Sequence, residues 1–373
     1  MLKKVVGFIC PVDKAFDLSS INGPLGGAET WTIQMAKEFA KNGYHVIIFN
    51  KSDYNMIYSN DIEIVKITEM HFRLSYQYFT HIFILRYFEP ETLELIKQYN
   101  CCENIYYILH DMFLWKNKGA VINNDYFITN YGDFYNNEWY KKHVKHVFVM
   151  SDWHKEVNNK YYNNDDFVKI LGNGTSVTPG TEVERDNSML WSSCYNRGLD
   201  ILVEKIAPLV IKEIPDFKIY TLTYDSNSQI NTYTDLDYVE DLGSMNKTDL
   251  YNEIAKHKVW FYPCVHWETF CITVLENIIN DVQIIVPCKY GIKTTLKYFE
   301  DVLLEDGDYE NEEYCQFVAS KIIDAIKNYN DENKKTIRNI MKKYVIDNYS
   351  WDNIFNKLHQ YIITYEKDNS NNS

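Results

Sequence analysis

At 373 residues the chain is too long for one ordinary hydrophobic core and fits two domains of roughly 170 to 190 residues. A hydrophobic content of 46% marks it as globular, and a net charge of −14 argues against broad binding to nucleic acid or anionic membranes, so a phosphate ligand would have to meet a local positive pocket. Eight scattered cysteines, with no Cys-x-x-Cys pair and no histidine at metal-ligand spacing, predict buried free thiols in a reducing compartment and no metal site.

The apolar run after Lys3 and Lys4 is only six residues, too short for a secretory signal. No stretch approaches the ~20 apolar residues that span a bilayer, and the expectation is a soluble cytoplasmic protein. Val5 to Cys10 reads as a parallel strand buried on both faces. A loop ending in Gly23-Pro24-Leu25-Gly26-Gly27 leads into a helix with Ala28, Trp31, Met35, Ala36 and Phe39 on one face, stopping at Gly43. The strand HVIIF follows. This is the βαβ layout that binds phosphate, although the glycines do not fit G-x-G-x-x-G and the pair reads equally well as a tight turn. Strands at EIVKIT, HIFILRY, NIYYILHD and VKHVFVMS alternate with helical PETLELIKQY and DFYNNEWYKKH, which predicts a doubly wound parallel sheet. Ligands of such sheets bind beyond the carboxyl ends of the strands, where His110 and Asp111 stand. A histidine there is also a common structural hydrogen bonder. Ser151 is placed to cap the helix opened by Asp152, Trp153 and His154.

Val168 to Leu171 and the turn Gly172-Asn173-Gly174 lead to a linker, residues 175–187, rich in Thr, Pro, Gly and charge. Beyond it MLWSS is a strand, Cys194 to Gly198 a loop, and GLDILVEKIAPLVIKEIPDF an amphipathic helix interrupted by Pro208. Arg197 thus lies at a strand's carboxyl end beside a helix start. A guanidinium is a permanent cation with a planar fork, suited to a diphosphate, and an isolated arginine is equally a surface charge. A short strand, a turn at Gly243, a helix capped near Asn246 and the strand VWFYP come next.

Pro263 to Pro287 reads as loop, helix, strand, with Ile272, Leu275, Ile278, Ile279 and Val282 at helical spacing and the helix beginning near Phe270. Glu268 precedes the helix and Glu276 lies two turns on, ~9 to 12 Å along its axis. A helix N-terminus favours a diphosphate, and flanking carboxylates accept hydroxyl hydrogens, so the spacing suits one extended ligand better than one metal ion. Two exposed glutamates on an amphipathic helix would look the same. VLLE reads as a last strand, helices follow from about 312 to 348, and the closing helix YSWDNIFNKLHQYIITYE presents Trp351, Ile354, Phe355, Leu358, Tyr361 and Ile362 on one face before fraying from Lys367.

Taken together, the string Gly26-Gly27-Ala28-Glu29, His110, the strand-Ser151-helix pattern, Asn173-Gly174, Arg197 in NRGLDIL, the Glu268/Glu276 pair and the Trp351 helix resemble, in order, the elements of the group 1, retaining, nucleotide-sugar-dependent glycosyltransferases of the GT-B fold. The resemblance spans about 350 residues. It implies an α/β protein of two doubly wound, Rossmann-like domains facing a central cleft: residues 1–174 on the acceptor side, 188–348 on the donor side, and a helix at 349–366 crossing back. It implies catalytic roles for His110, Arg197 and Glu268. His110 and Glu268 would contact the donor sugar, Arg197 the diphosphate and Glu276 the ribose. Gly26 and Gly27 would approach the donor phosphates or sugar, and Leu242 and Gly243 the base. Thr269, Phe270, Cys271 and Ile272 would line the helix start. The co-substrate would be a nucleoside diphosphate sugar, with no cofactor and no metal. The acceptor would be a glycan, lipid or protein met by loops 11–25 and 112–131, where Phe113, Trp115 and Tyr131 could stack on sugar. The chain departs from the pattern in two places. Only one basic residue, Arg197, stands where the family commonly has two, Lys205 falling well into the helix, and Thr269 and Cys271 replace frequent glycines. A non-catalytic sugar-nucleotide or glycan binding protein and a nucleotide-sugar epimerase share the same shell.

Overall fold

The structure is a computed structural model that describes residues 3–12, 15–23, 25–58, 61–86, 90–111, 119–122, 125–128, 138–162, 166–223 and 233–370. Pro24, Phe113, Trp115 and Tyr131 lie outside the described residues. The chain divides into two compact units. The first comprises Met1–Ile21, Leu25–Asn173 and Trp351–Ser373, the second Asn22–Pro24 and Gly174–Ser350.

The first unit is built on an eight-stranded sheet. Its strands are β1 (Val5–Ile9), β2 (His45–Asn50), β3 (Met56–Tyr58), β4 (Ile62–Lys66), β5 (His81–Leu85) and β6 (Ile105–Ile108), then, after a small antiparallel hairpin of β7 (Gly119–Ile122) and β8 (Asp125–Ile128), β9 (Val144–Val149) and β10 (Val168–Ile170). The order is β10-β9-β6-β5-β1-β2-β4-β3, parallel throughout except for β3 at one edge. Parallel strands covered by helices on both faces need apolar residues at every position. That is why β5 and β6, HIFIL and IYYI, are buried at each residue. The order reverses at β1, whose neighbours are β2 and β5 in the registers Val5 to His45 and Val6 to His81. A crevice forms at such a switch point, beyond the carboxyl ends of the strands.

Helix Gly27–Lys41 buries Trp31, Met35, Ala36 and Phe39, with the Trp31 and Phe39 rings edge-on to Phe8 at 6.0 and 5.7 Å. It ends before Gly43, whose φ of 85° suits glycine. The closing helix, Trp351–Ser370, buries Ile354, Phe355, Leu358 and Ile362 in this unit and sets Phe355 edge-on to Phe39 at 5.0 Å. It runs as far as Ser370, past Lys367.

The second unit carries two small parallel sheets. One has the order β11 (Ser188–Trp191), β12 (Lys218–Thr221), β13 (Val239–Asp241), and the other pairs β14 (Val259–Phe261) with β15 (Gln283–Ile285). Three details differ from the expectation. The segment after Gly198 is not one regular helix: Ile201–Ile206 is a π-helical turn and the α-helix resumes at Ala207–Ile211 with Pro208 in its first turn. Proline has no N–H and its ring crowds the carbonyl four residues back, so the wider turn before it removes a clash that a continuous α-helix would suffer. The helix of the two-glutamate segment starts at Ile272 rather than Phe270, because Cys271 has φ 70° and ψ 81°, outside the helical region. The expected last strand VLLE is a single bridge, Pro287 to Leu304, where Leu304 N–H donates to Val286 O and Cys288 N–H to Leu304 O at 2.8 Å each. A 3₁₀ helix at Lys297–Val302 takes up the chain just before it, leaving no length to pair.

Candidate functional site

In the first unit the carboxyl ends of β1, β5 and β6 bring together Cys10, Arg86, His110 and Asp111. The Arg86 guanidinium donates to both carboxylate oxygens of Asp111, 2.8 Å from Nε to Oδ2 and 3.4 Å from the terminal nitrogen to Oδ1. Arg86 holds φ 71°, a conformation costly for a non-glycine residue and frequent at functional sites. Trp31 lies edge-on to the His110 ring at 5.8 Å, and the ring nitrogens of His110 are shielded from solvent. Helix Gly27–Lys41 starts at this end of the sheet. Gly26 has φ −70°, so backbone conformation does not demand glycine there. Its missing side chain instead leaves room for Glu29, whose Oε2 would lie 2.5 Å from a Cβ.

Burial pushes the His110 imidazole down to about 4, with nearby Arg86 acting the same way and Asp111 opposing. His154 behind it is buried too, next to His110, and falls to about 3. Its backbone N–H donates to the Ser151 hydroxyl oxygen at 3.2 Å, the cap expected for that helix. Both histidines are therefore neutral in the folded chain. A histidine whose pKa is lower folded than unfolded takes up its proton more readily in the unfolded chain. Stability from these groups is full above pH ~6.5 and is lost as pH falls toward the folded values. Between pH 7 and pH 5 the urea midpoint should drop, on the order of a few kcal/mol in total from the two. A midpoint that is flat across that interval contradicts the neutral assignment.

In the second unit Arg197 closes a 3₁₀ turn, Tyr195–Arg197, beyond β11, and Gly198 follows with φ 106°. A Cβ on Gly198 would stand 2.5 Å from Cγ of Pro263, so the Arg197 loop lies directly on the Pro263 loop. Arg197 faces Glu268 at 3.7 Å from Oε2, and the Tyr262 hydroxyl donates to the same oxygen at 3.3 Å. Burial raises the Glu268 carboxyl, while Arg197, Tyr262 and the backbone N–H groups of Phe270 and Cys271 favour its ionised form. Gly291 supports this loop from below. Its N–H donates to Glu268 O at 2.8 Å, and a Cβ there would sit 2.4 Å from Thr269 O. Phe270 packs edge-on to Tyr349 at 5.3 Å, and Ile272 opens the helix Ile272–Ile279.

Glu276, about one turn into that helix, is buried and paired with Lys247. Lys247 opens helix Lys247–Ile254, whose first turn is capped by Asn246 Oδ1 accepting from Asp249 N–H at 2.9 Å. Leu242 and Gly243 lie just before it, at the end of β13. Leu242 N–H donates to Thr221 O at 2.9 Å, and Gly243 turns with φ 71°. The structure thus places Arg197 beside Glu268, and joins Glu276 through Lys247 to the helix that follows the 242–243 turn. Lys205 points elsewhere, pairing with Glu310 at 2.5 Å.

Four residues that sequence reading did not single out emerge as supports: Arg86, Lys247, Tyr262 and Gly291. Lys247 and Glu276 are 29 positions apart, and Arg86 and Asp111 are 25 apart, so no local pattern announces either pair. Among the described residues no group of three or more His, Cys, Asp or Glu side chains could hold a metal ion, and no helix is long and apolar enough to cross a membrane.

No protein-family model matches the chain, and no curated protein is similar to it. Solved structures do match over nearly its full length. A glycosyltransferase from Rickettsia africae is 17% identical with a TM-score of 0.70, covering 97% of this chain and 99% of the other. Sucrose-phosphate synthase from Thermosynechococcus elongatus is 13% identical with a TM-score of 0.71, covering 98% and 100%. The Anabaena protein HepE, solved in complex with UDP and glucose, is 12% identical with a TM-score of 0.62, covering 97% and 100%. Such identities carry the architecture and nothing finer: the chain has the GT-B fold of these glycosyltransferases.

Proposed function

We propose that the protein is a retaining glycosyltransferase that moves a sugar from a nucleoside diphosphate donor to an acceptor hydroxyl. The observation that supports this most is the Arg197–Glu268 pair, 3.7 Å apart just before a helix that carries Glu276 about one turn in. In this reading the sugar's hydroxyls donate to Glu268, and the ribose hydroxyls donate to the oxygen of Glu276 that Lys247 does not hold. The bond between the anomeric carbon and the diphosphate breaks, leaving an oxocarbenium-like sugar. Arg197 and the N–H groups of the helix start take the charge that collects on the departing phosphate oxygens. The acceptor oxygen then attacks the face that the diphosphate leaves, and its proton passes to the departing phosphate oxygen.

The UDP and glucose held by the Anabaena structure favour a uridine donor. Calorimetric titration with UDP and GDP tests this. Saturable binding of one of them, weakened at least tenfold in Glu276→Ala, is expected. No binding of either overturns the donor reading. One observation favours the non-catalytic alternative: Arg197 is already engaged by a carboxylate. Slow release of nucleotide from a nucleotide sugar by the native protein excludes that alternative.

A further inference from the structure

The second unit holds a cavity of about 710 Å³ that none of the preceding chemistry uses, lined by residues 179–185 of the linker and by one face of helix Glu332–Tyr349. One wall is fixed. Arg338, only 4% exposed, donates from Nε to Asp281 Oδ1 at 2.9 Å and from a terminal nitrogen to Tyr329 O at 3.0 Å, and its guanidinium lies 4.0 Å from the centre of the Tyr329 ring. The Tyr329 hydroxyl in turn donates to Asp281 O at 2.7 Å. Arg185, 5.5 Å from the same ring, spends two nitrogens on His257 O and Asn280 O at 2.7 and 2.6 Å. These charges are satisfied internally and give the wall its shape.

The lysines on that face are not satisfied in the same way. Lys335 and Lys342 stand three residues before and four after Arg338, so all three share one helical stripe toward the cavity. Their sequence neighbours pointing away are paired, Lys334 with Asp324 and Lys343 with Asp347. Among the described residues Lys335 and Lys342 have no carboxylate partner, although acids outnumber bases 52 to 38 in the chain. Lys258 adds a further cation, and its amine donates to Asn187 Oδ1 at 2.7 Å. Glu182 and Glu184 of the linker, and Glu332 on the lysine helix itself three residues before Lys335, also line the cavity, are exposed and, among the described residues, have no cationic partner.

We infer that this cavity binds a small phosphorylated carbohydrate, its phosphate on Lys335 and Lys342 and its hydroxyls on Glu182 and Glu184. A volume of this size admits a ligand larger than a bare ion. The lysines supply charge-assisted hydrogen bonds to phosphate oxygens. The glutamates accept from hydroxyls and repel a polyphosphate, which separates this site from one for nucleotides or nucleic acid. The inference does not rest on the donor site.

Calorimetric titration of the full chain with glucose 6-phosphate, inorganic phosphate and glucose tests it. Glucose 6-phosphate carries its phosphate away from the anomeric carbon and so is not a fragment of a nucleotide-sugar donor. It should bind saturably, phosphate more weakly and glucose not at all. Lys335→Ala/Lys342→Ala, two surface changes that leave the Arg338 network whole, should weaken glucose 6-phosphate at least tenfold. The site is refuted by any of four results: no saturable binding, binding that survives the double change, equal binding of glucose, or displacement of glucose 6-phosphate by UDP. The first three do not depend on whether UDP itself binds, so a failure here and a failure of the donor reading are told apart.

Discussion

Arg197→Ala should lower turnover of the nucleotide-sugar donor by roughly a hundredfold to a thousandfold, the loss typical of removing one preorganised donor from a site of developing negative charge. Release of the nucleotide from the sugar is the readout, so nucleotide liberated in the absence of acceptor suffices. A guanidinium beside Glu268 does two things at once: it meets phosphate oxygens with a planar fork, and it keeps a carboxyl that burial pushes upward in its ionised form. Arg197→Lys keeps the charge and loses the fork, and it should recover only part of the rate. The thermal midpoint should move little, because Arg197 is more than one-third exposed and an ion pair at such a site contributes little to folding. Unchanged turnover in Arg197→Ala removes this residue from the chemistry and leaves the non-catalytic alternative standing.

Gly198→Ala is expected to be a strongly damaging single methyl in the second unit. Two penalties add there. A φ of 106° is strained for any residue with a Cβ, and the new carbon would meet Cγ of Pro263 at 2.5 Å. Together they should cost roughly 2 to 4 kcal/mol of stability, read as a shift of the denaturant midpoint. Because Arg197 is the preceding residue, the backbone movement that relieves the contact also displaces the guanidinium, and activity should fall further than stability. Pairing the change with Pro263→Ala removes the collision but not the φ strain, so it should restore part of the midpoint. A Gly198→Ala protein as stable as the native chain would mean that the two loops are not held against each other.

How far this architecture can be read from residues depends on the range of the interaction. Strands such as HIFIL and IYYI are legible because burial on both faces writes an unbroken apolar run into the chain. Caps are legible for the same local reason: Ser151 and Asn246 bond backbone groups three residues ahead. The closing helix shows its buried stripe at helical spacing. Conformation at single residues is less legible. Cys271 sits at φ 70° where a glycine would be relaxed, and nothing in its side chain signals that the helix must wait for Ile272. Pro208 marks an interruption, but only coordinates distinguish a break from a widened turn. VLLE has the composition of a strand and lacks only a partner of sufficient length, a property of Pro287 and its surroundings rather than of the segment. In the site, Arg197, Glu268 and Glu276 carry chemistry in their own side chains and so attract notice. Lys247, Arg86 and Gly291 act through residues distant in sequence, and their importance is written in the partner, not in the motif.

The order in which the chain is made has a consequence for how it becomes itself. The first unit is interrupted: its sheet and helix Gly27–Lys41 come from residues before 174, while the helix that covers Phe39 begins only at Trp351. The chain enters and leaves the second unit at neighbouring points, with Thr175 N–H bonded to Tyr349 O at 2.8 Å. During synthesis the second unit therefore emerges whole and can close while the earlier one still exposes an apolar stripe. The part of the protein that the ribosome releases first is the last to be finished, and it waits through about 177 residues for its lid.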